Sequence, residues 1–594
     1  MAEFHSLSGD LPFIPDNLTI PQFFLNDNNS LRPVRPTAIP WLIHDETGRT
    51  VGHAELSRRT RGLANAMSMK WDIGTSCHVK VTLTKLIAIL VAGQGDTICI
   101  FSPNNIDYPV SIWATHTLGG VITPANPAYK ADELVHQLLV TRASLLIIHP
   151  AFLPIALIAA KEVGLSGDRI VFIEPSLRKT TSDHFTVDQL VEYGLCNPMS
   201  YAELCFKPGE AKTTLAFLSF SSGTTGKPKA VAIPHYSVIA NVIQMTFHNK
   251  LNDPNYKSRM VPGDVAVAVL PFFHIYGLVL NVCRFIRTSL HFLLFAGMSI
   301  VVVPKFSLGS FLNSIIRYRI THLFIVPPQA VLLCKVLPLT LAPLSIPPLS
   351  GELLQMLCEV FPNAAIGQGY GLTETCATIT MLPTTQKIGT VGSSGQLIPG
   401  MRAKVVKEDG SLAREGEQGE LVVTGPSMAL QYMNNKTATK ETFVDGWVRT
   451  GDEVVIRNGD LFVVDRLKEI IKVRGFQVAP AELEGHLLTH SDVADACVVS
   501  VLDDYNGELP FAYVVLSDIA ARRIAGNAKA AVETKATIAK YVADAKVHYK
   551  HLKGGVEFID AIPKNPSGKI LRRVLRDKAR KFMGNNSTET HAKL

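Results

Sequence analysis

Several features are missing from this 594-residue sequence, and each absence narrows what the chain does. Its nine cysteines include no Cys-x-x-Cys pair and no Cys/His cluster. That excludes a zinc ribbon and a disulfide framework, and predicts reduced, mostly buried thiols in an intracellular protein. The start, MAEFHSLSGDLPFIPDN, has no apolar run behind a basic segment, so it is not a secretory signal. The most apolar run, TSLHFLLFAGMSIVVVP from Thr288 to Pro304, is short for a membrane span and carries a histidine. Its second half is β-branched and ends at a proline, which predicts a buried helix followed by a strand and no transmembrane span. Charge is sparse: 18% of residues are charged against 47% hydrophobic, a globular balance and not a disordered one. The net charge of +7 is largely one cluster near the C-terminus, Lys569, Arg572, Arg573, Arg576, Lys578, Arg580 and Lys581, opposed by Asp577. Without a wider basic field or interleaved aromatics, no nucleic-acid role follows. A solvated helix face is the expectation for most of these residues.

What is present asks for more than one core, because the chain is too long for a single domain. From about Leu215 to Val303, β-branched apolar runs such as VAVAVLPFF and SIVVVPKF alternate with helical stretches, the pattern of parallel sheets covered by helices. After Gly400 the texture turns charged and glycine-punctuated. Asp409-Gly410 and Asn458-Gly459 read as tight turns between strands. The expected fold is therefore α/β and α+β multidomain. A large N-terminal region of stacked sheets with helices spans 1–466, a small α+β C-terminal domain spans 467–583, and a flexible tail spans 584–594.

One stretch, FLSFSSGTTGKPKAV from Phe217 to Val231, has the parts of an oxyanion grip. Gly223 and Gly226 let backbone N–H groups converge, Ser221, Ser222, Thr224 and Thr225 offer hydroxyls, and Lys227 and Lys229 bring positive charge. It is not the nucleotide P-loop. That motif needs Gly, four residues, then Gly-Lys-Ser/Thr, whereas here Ser221 stands at the first position and Pro228 at the last. Taken alone, the stretch is barely distinguishable from a surface loop. It is followed in order by LPFFHIYGL (Leu270–Leu278), GQGYGLTET (Gly367–Thr375), WVRTGD (Trp447–Asp452), DRLKEIIKVRGFQVAPAE (Asp465–Glu482) and PKNPSGKILRR (Pro563–Arg573). Each has a dull explanation alone: His274 as a core histidine, Glu374 as a helix-start carboxylate, Asp452 as a turn residue.

Together, in this order, the motifs resemble the adenylate-forming, AMP-binding superfamily of acyl-CoA synthetases over nearly the whole chain, most closely the 4-coumarate–CoA ligase and aryl-CoA ligase branch. The resemblance implies a two-step reaction. A carboxylate attacks the α-phosphorus of ATP to give an acyl-adenylate and pyrophosphate, and coenzyme A then displaces AMP. It implies a phosphate grip at Ser221, Ser222, Gly223, Thr224, Thr225, Gly226 and Lys227. It implies Mg²⁺ at Glu374 with Thr224, and Thr373 near the phosphates. Gln368, Gly369 and Tyr370 frame adenine and the acid, and Asp452 and Arg466 meet the ribose. Lys569 bridges the attacking carboxylate and the α-phosphate, Lys472 and Gln477 lie near the adenylate, and His274 stands where the acid enters. The small domain turns about Lys468, and Gly475 and Phe476 then line the thiol path.

The sequence also departs from that pattern. Ala230 replaces a usual glycine. Between helix and SPNN strand, about twenty residues near Gly74 to Ala92 look inserted. At 337–350 a small-residue Gly-Ala-Ala element is missing from LPLTLAPLSIPPLS. One insertion and one loss read as a retained intron and a lost exon end. The last residues, Ala592-Lys593-Leu594, resemble the SKL peroxisomal address, which predicts the peroxisomal import receptor as a partner and the peroxisome, with the cytoplasm as the alternative. The reading is an ATP-, Mg²⁺- and coenzyme A-using acid–CoA ligase acting on an aromatic acid of cinnamate, coumarate or benzoate type. Alternatives are a medium- or long-chain fatty acyl-CoA ligase, a carrier-protein adenylation enzyme, a luciferase-like oxidase, and an impaired nucleotide-binding relative.

Overall fold

The computed structural model describes residues 3–26, 29–74, 95–175, 184–221, 228–251, 253–278, 290–323, 325, 329–330, 333–334, 351–466, 469–474, 476–503, 506–564 and 570–580. Of the expected insertion near Gly74 to Ala92 all but Gly74 lies outside the described residues, as do the 337–350 segment and the tail 584–594.

Thr97–Phe101 and Val121–Ala125 are apolar except for Thr97 and Thr123, and buried at every position on both faces. Strands of that kind belong in the middle of a parallel sheet. They do lie there. A seven-stranded sheet runs Gln431–Tyr432, Lys229–Pro234, Leu215–Ser221, Val121–Ala125, Thr97–Phe101, Ala143–Ile148, Ile170–Phe172. Its last five strands are mutually parallel, with Tyr108–Thr117 and Ala131–Thr141 among the connecting helices. Leu215–Ser221 and Lys229–Pro234 are antiparallel, as are the latter and Gln431–Tyr432. A four-stranded sheet joins Val265–Ala268, Ser299–Val302, Leu42–His44 and Thr50–Val51. Within 288–304 the described chain is a buried helix, Leu290–Phe295, and the buried strand Ser299–Val302, as the sequence predicts. Among the described residues no helix is long and apolar enough to cross a membrane.

A nine-stranded sheet of antiparallel pairs holds Phe4–His5 and most of the strands between Tyr370 and Arg466. The Asn458-Gly459 turn joins Trp447–Arg457 to Asp460–Arg466 with both residues at positive φ (51° and 78°), as a tight hairpin requires. One continuous apolar core reaches Leu461, and a separate core begins at Ile471 around a five-stranded sheet that includes Val493–Asp503 and Gly507–Leu516. The mixed α/β, multidomain character expected from the sequence is what the structure has.

The C-terminal basic cluster is not uniformly solvated. Arg572, at the start of the helix 572–580, is partly buried, its side chain 14% exposed. It donates to Glu469 (2.7 Å), to both oxygens of Glu484 (2.8 Å to Oε2) and to the Val498 carbonyl (3.3 Å). Two carboxylates around one guanidinium hold its pKa well above the usual arginine value despite its burial.

Candidate active site

Two clusters of polar side chains form where the antiparallel sheet meets the end of the parallel one. The first depends on a β-bulge. Counting out from the Asn458-Gly459 turn, the pairing runs Arg457 with Asp460 and on to Val454 with Val463. The register then shifts by one, leaving Val464 unpaired, so that Asp452 faces Arg466 and Glu453 faces Asp465. Arg466 Nε lies 3.2 Å from Asp452 Oδ1, and the Tyr370 hydroxyl donates to Asp452 Oδ2 at 2.6 Å. Asp452 is nearly fully buried, and its own N–H donates to the Thr450 hydroxyl at 3.1 Å. Burial beside this carboxylate pushes the Tyr370 phenol far above its ordinary pKa, so it stays a donor.

The second cluster surrounds Glu374, in the turn Thr373–Thr375. The chain can double back here only because Gly371 lacks a side chain: a Cβ would sit 1.4 Å from the Ala377 carbonyl oxygen. Cys376 and Ala377 then both take positive φ, 50° and 93°. Such a conformation is costly for non-glycine residues and is typical of functional turns. Glu374 is only 8% exposed. Its Oε1 accepts the Tyr432 hydroxyl at 2.8 Å, while Oε2 has no hydrogen-bond partner among the described residues. The Lys229 ammonium lies 4.8 Å above the centre of the Tyr432 ring. The two clusters are four residues apart along the chain, at Tyr370 and Glu374.

Ser221 faces Lys229 across the mouth of the glycine-rich loop, while Ser222, Gly223, Thr224, Thr225, Gly226 and Lys227 lie outside the described residues. So do Lys468, Gly475 and Lys569. Gln368 and Gly369 are half-buried just before Tyr370, and Thr373 is buried beside Glu374. His274 closes a turn, donating its backbone N–H to the Pro271 carbonyl at 3.1 Å, and is half-buried. Lys472 and Gln477 are register partners in the hairpin Ile471–Val473/Phe476–Val478. In this structure the Lys472 ammonium pairs with Glu408 at 2.8 Å on the surface, not with Asp452. Phe476 is half exposed and stacks on Tyr549, with centroids 4.6 Å apart and planes at 12°.

Two residues outside the sequence expectations matter here. One is Tyr432, which no local pattern marks. The other is Asp465, on the opposite face of its strand from Arg466. Its carboxylate accepts the Ala481 N–H (3.1 Å) in the first turn of the helix Pro480–Leu487, and burial pushes its pKa up to about 6. The strand that carries Arg466 into the site thus also holds the C-terminal region.

A pair of buried polar clusters beside a phosphate-type loop suits a nucleotide. Among the described residues no three His, Cys, Asp or Glu side chains gather as metal ligands. A hard divalent cation at Glu374 would take one carboxylate oxygen from the protein and most of the rest from a polyphosphate and water, which is how Mg²⁺ is ordinarily held beside nucleotides. The Oε2, which has no hydrogen-bond partner among the described residues, fits that role.

Comparison with known proteins agrees. Residues 83–433 match the family model described as AMP-binding enzyme, and 482–569 match AMP-binding enzyme C-terminal domain. The 4-coumarate–CoA ligase 5 of Oryza sativa subsp. japonica is 33% identical over 563 residues, covering 90% of this chain and 91% of its own. In fold, the chain is similar to an anthranilate CoA ligase, AuaEII, solved with anthranoyl-AMP (TM-score 0.74, 21% identity, 96% and 99% of the two chains). It is likewise similar to ATP-bound MatB from Rhodopseudomonas palustris (TM-score 0.73, 22% identity, 95% and 100%). With the family model covering more than half of it and a curated CoA ligase one-third identical along almost its entire length, this chain belongs to the AMP-binding, adenylate-forming enzymes, in the company of acid–CoA ligases.

Proposed function

We propose that the protein is an ATP-dependent acid–CoA ligase acting on an aromatic carboxylic acid of the cinnamate, coumarate or benzoate class. The observation that carries the reading is the joint presence of the Tyr370–Asp452–Arg466 cluster and the buried, half-partnered Glu374 beside the Lys229 end of the loop. The first offers a carboxylate to ribose hydroxyls, with Arg466 and Tyr370 fixing its orientation. The second offers negative charge to a phosphate-bound cation and positive charge to the phosphates. Mg²⁺ bound at Glu374 would neutralise charge on the polyphosphate.

The chemistry joins two anions, so positioned cations and donors matter most. The acid's carboxylate oxygen attacks the α-phosphorus as the bond to pyrophosphate breaks, and the coenzyme A sulfur then attacks the acyl carbon as AMP leaves. Lys569 is assigned to the first step, meeting both the carboxylate and the α-phosphate. His274 is assigned to the acid's entry, and Gly475 and Phe476 to the thiol's path after a turn about Lys468. The aromatic assignment is supported by the identity with 4-coumarate–CoA ligases.

A panel of aromatic and fatty acids, assayed for AMP release and thioester formation with ATP, Mg²⁺ and coenzyme A, tests the proposal. The expected result is thioester from at least one aromatic acid, with AMP release dependent on both acid and thiol. Turnover on fatty acids alone would move the substrate class, and no AMP release with any acid would reject the ligase reading.

A further inference from the structure

Glu374 is gripped by one short segment at two points. Its carbonyl oxygen accepts the Ala429 N–H at 2.9 Å, and its carboxylate accepts the Tyr432 hydroxyl at 2.8 Å. The same segment is bonded on its other side to the strand that leaves the phosphate loop. Leu430 N–H donates to the Ala232 carbonyl at 2.9 Å, Met433 N–H to the Ala230 carbonyl at 2.8 Å, and Tyr432 lies opposite Val231 in the ladder. That register puts the Tyr432 ring under Lys229, two residues earlier on the facing strand. Tyr432 therefore touches both halves of the site, through its hydroxyl to the carboxylate and through its ring face to the loop lysine.

We infer that Tyr432 is a positioning residue that orients Glu374 toward a nucleotide-bound divalent cation and couples that carboxylate to the Lys229 end of the phosphate loop. Several observations argue for this role over packing alone. Glu374 is buried, yet only one of its carboxylate oxygens is satisfied among the described residues, so its hydroxyl partner decides which way the other oxygen points. A cation over the ring face polarises the ring, which makes its hydroxyl the stronger donor to a carboxylate. The hydroxyl remains protonated at any working pH, since burial and the adjacent carboxylate both raise its pKa. Residues that hold a metal ligand without touching the metal typically change metal affinity by about ten- to a hundredfold when removed. Tyr432 also packs edge-on against Phe443 at 5.5 Å, a contact that phenylalanine at 432 retains. The hydroxyl can thus be tested apart from the ring.

The inference rests on the ligase reading, and its test can fail independently of it. The test measures the rise in melting temperature given by α,β-methylene-ATP as Mg²⁺ is titrated, on the full chain. For Tyr432→Phe the Mg²⁺ concentration giving half of the stabilisation rises about ten- to a hundredfold, while the shift given by nucleotide without Mg²⁺ equals that of the wild type. In a Glu374→Gln background, Tyr432→Phe has no further effect, because the group it acts through is gone. Tyr432→Leu, which also removes the ring from beneath Lys229, lowers the Mg²⁺-independent shift as well. A Tyr432→Phe midpoint equal to wild type, or an effect undiminished in the Glu374→Gln background, overturns the inference. A wild type that no nucleotide stabilises overturns the ligase reading and this inference with it.

Discussion

Across the hairpin that ends at Arg466, a register unbroken from the Asn458-Gly459 turn would set Asp452 opposite Asp465. Asp452 would then face a carboxylate in place of a cation, whereas in the observed register the facing carboxylates are Glu453 and Asp465. The bulge at Val464 moves Arg466 into that place instead, and sends Asp465 to the other face to cap the helix Pro480–Leu487. Asp452 itself is legible in the sequence, because WVRTGD stands out as a strand ending in glycine and an acid. Its pairing with Arg466 is not, since a bulge leaves no mark in the pattern of apolar residues. Tyr432 was equally hidden, in a two-residue strand whose neighbours come from distant sequence. If Asp452 serves the ribose, Asp452→Asn keeps the shape and the Tyr370 contact but removes the charge that receives hydroxyl protons. Hydrogen bonds to a charged group are worth about 1.5–3 kcal/mol, so the KM for ATP rises about ten- to a hundredfold, with the KM values for acid and coenzyme A unchanged. Steady-state kinetics checks this. A uniform loss across all three substrates would mean that Asp452 serves folding and not the nucleotide.

At the scale of elements, the long helix His53–Trp71 shows how the fold closes on either side of the segment that looks surplus in the sequence. The helix ends with Asp72 in the left-handed conformation, φ 55°. Two residues later the Gly74 N–H donates to the Asp96 carboxylate at 3.1 Å, and Asp96 directly precedes the central strand Thr97–Phe101. The chain thus leaves at Gly74 and is back in contact with Gly74 at Asp96. Gly95 packs so tightly on Gly119 that a Cβ would lie 2.1 Å from its carbonyl oxygen, so the strand's entry is fixed by its own neighbours. Deleting residues 75–93 leaves Gln94 and Gly95 to bridge the gap, and three peptide units reach about 11 Å. The expected outcome is a deletion variant that folds with a melting temperature equal to or above that of the full chain, since a shorter loop costs less closure entropy. Calorimetry on both chains decides it, and a variant recovered only in inclusion bodies would show that the segment is integral. The sequence marked the surplus by comparison of spacing alone. It did not mark Arg572, whose motif neighbours read as a solvated basic helix until Glu469 and Glu484 close on it.

At the scale of the whole molecule, the large core is built around three histidines that composition alone would not have placed there. His116 Nε2–H donates to the Ala216 carbonyl at 2.9 Å, His235 Nδ1 accepts the Ile20 N–H at 3.1 Å, and His291 bridges the Trp113 indole (3.3 Å) and the Leu278 carbonyl (2.7 Å). Among the described residues His116 Nδ1 and His235 Nε2 have no hydrogen-bond partner, in rings whose centroids are 4.8 Å apart. His235 and His291 each accept an N–H and so must be neutral, and burial keeps His116 neutral as well. The rings around them are Phe24, Phe206, Phe217 and Trp113, and among the described residues no carboxylate acts on them to stabilise a positive charge. Burial accordingly lowers their pKa values, His116 to about 3, His291 to about 4 and His235 well below the ordinary histidine value. A folded pKa below the unfolded one near 6.5 means that the unfolded chain binds protons first. The stability tied to neutral histidine is complete above pH 6.5 and is lost as pH falls toward the folded values. Each group costs about 1.4 kcal/mol per pH unit once well below 6.5, so three cost about 2 kcal/mol each, or about 6 kcal/mol together, between pH 7 and pH 5. Against a total stability of about 5–15 kcal/mol, that is a large share of what holds the N-terminal region folded at pH 5. The melting temperature, followed by calorimetry from pH 8 downward, should be flat to about 6.5 and then fall steeply, with the C-terminal region's separate core surviving to lower pH. A melting temperature level between pH 7 and pH 5 would mean that these rings accept protons in the folded state at no cost, which their apolar surroundings forbid.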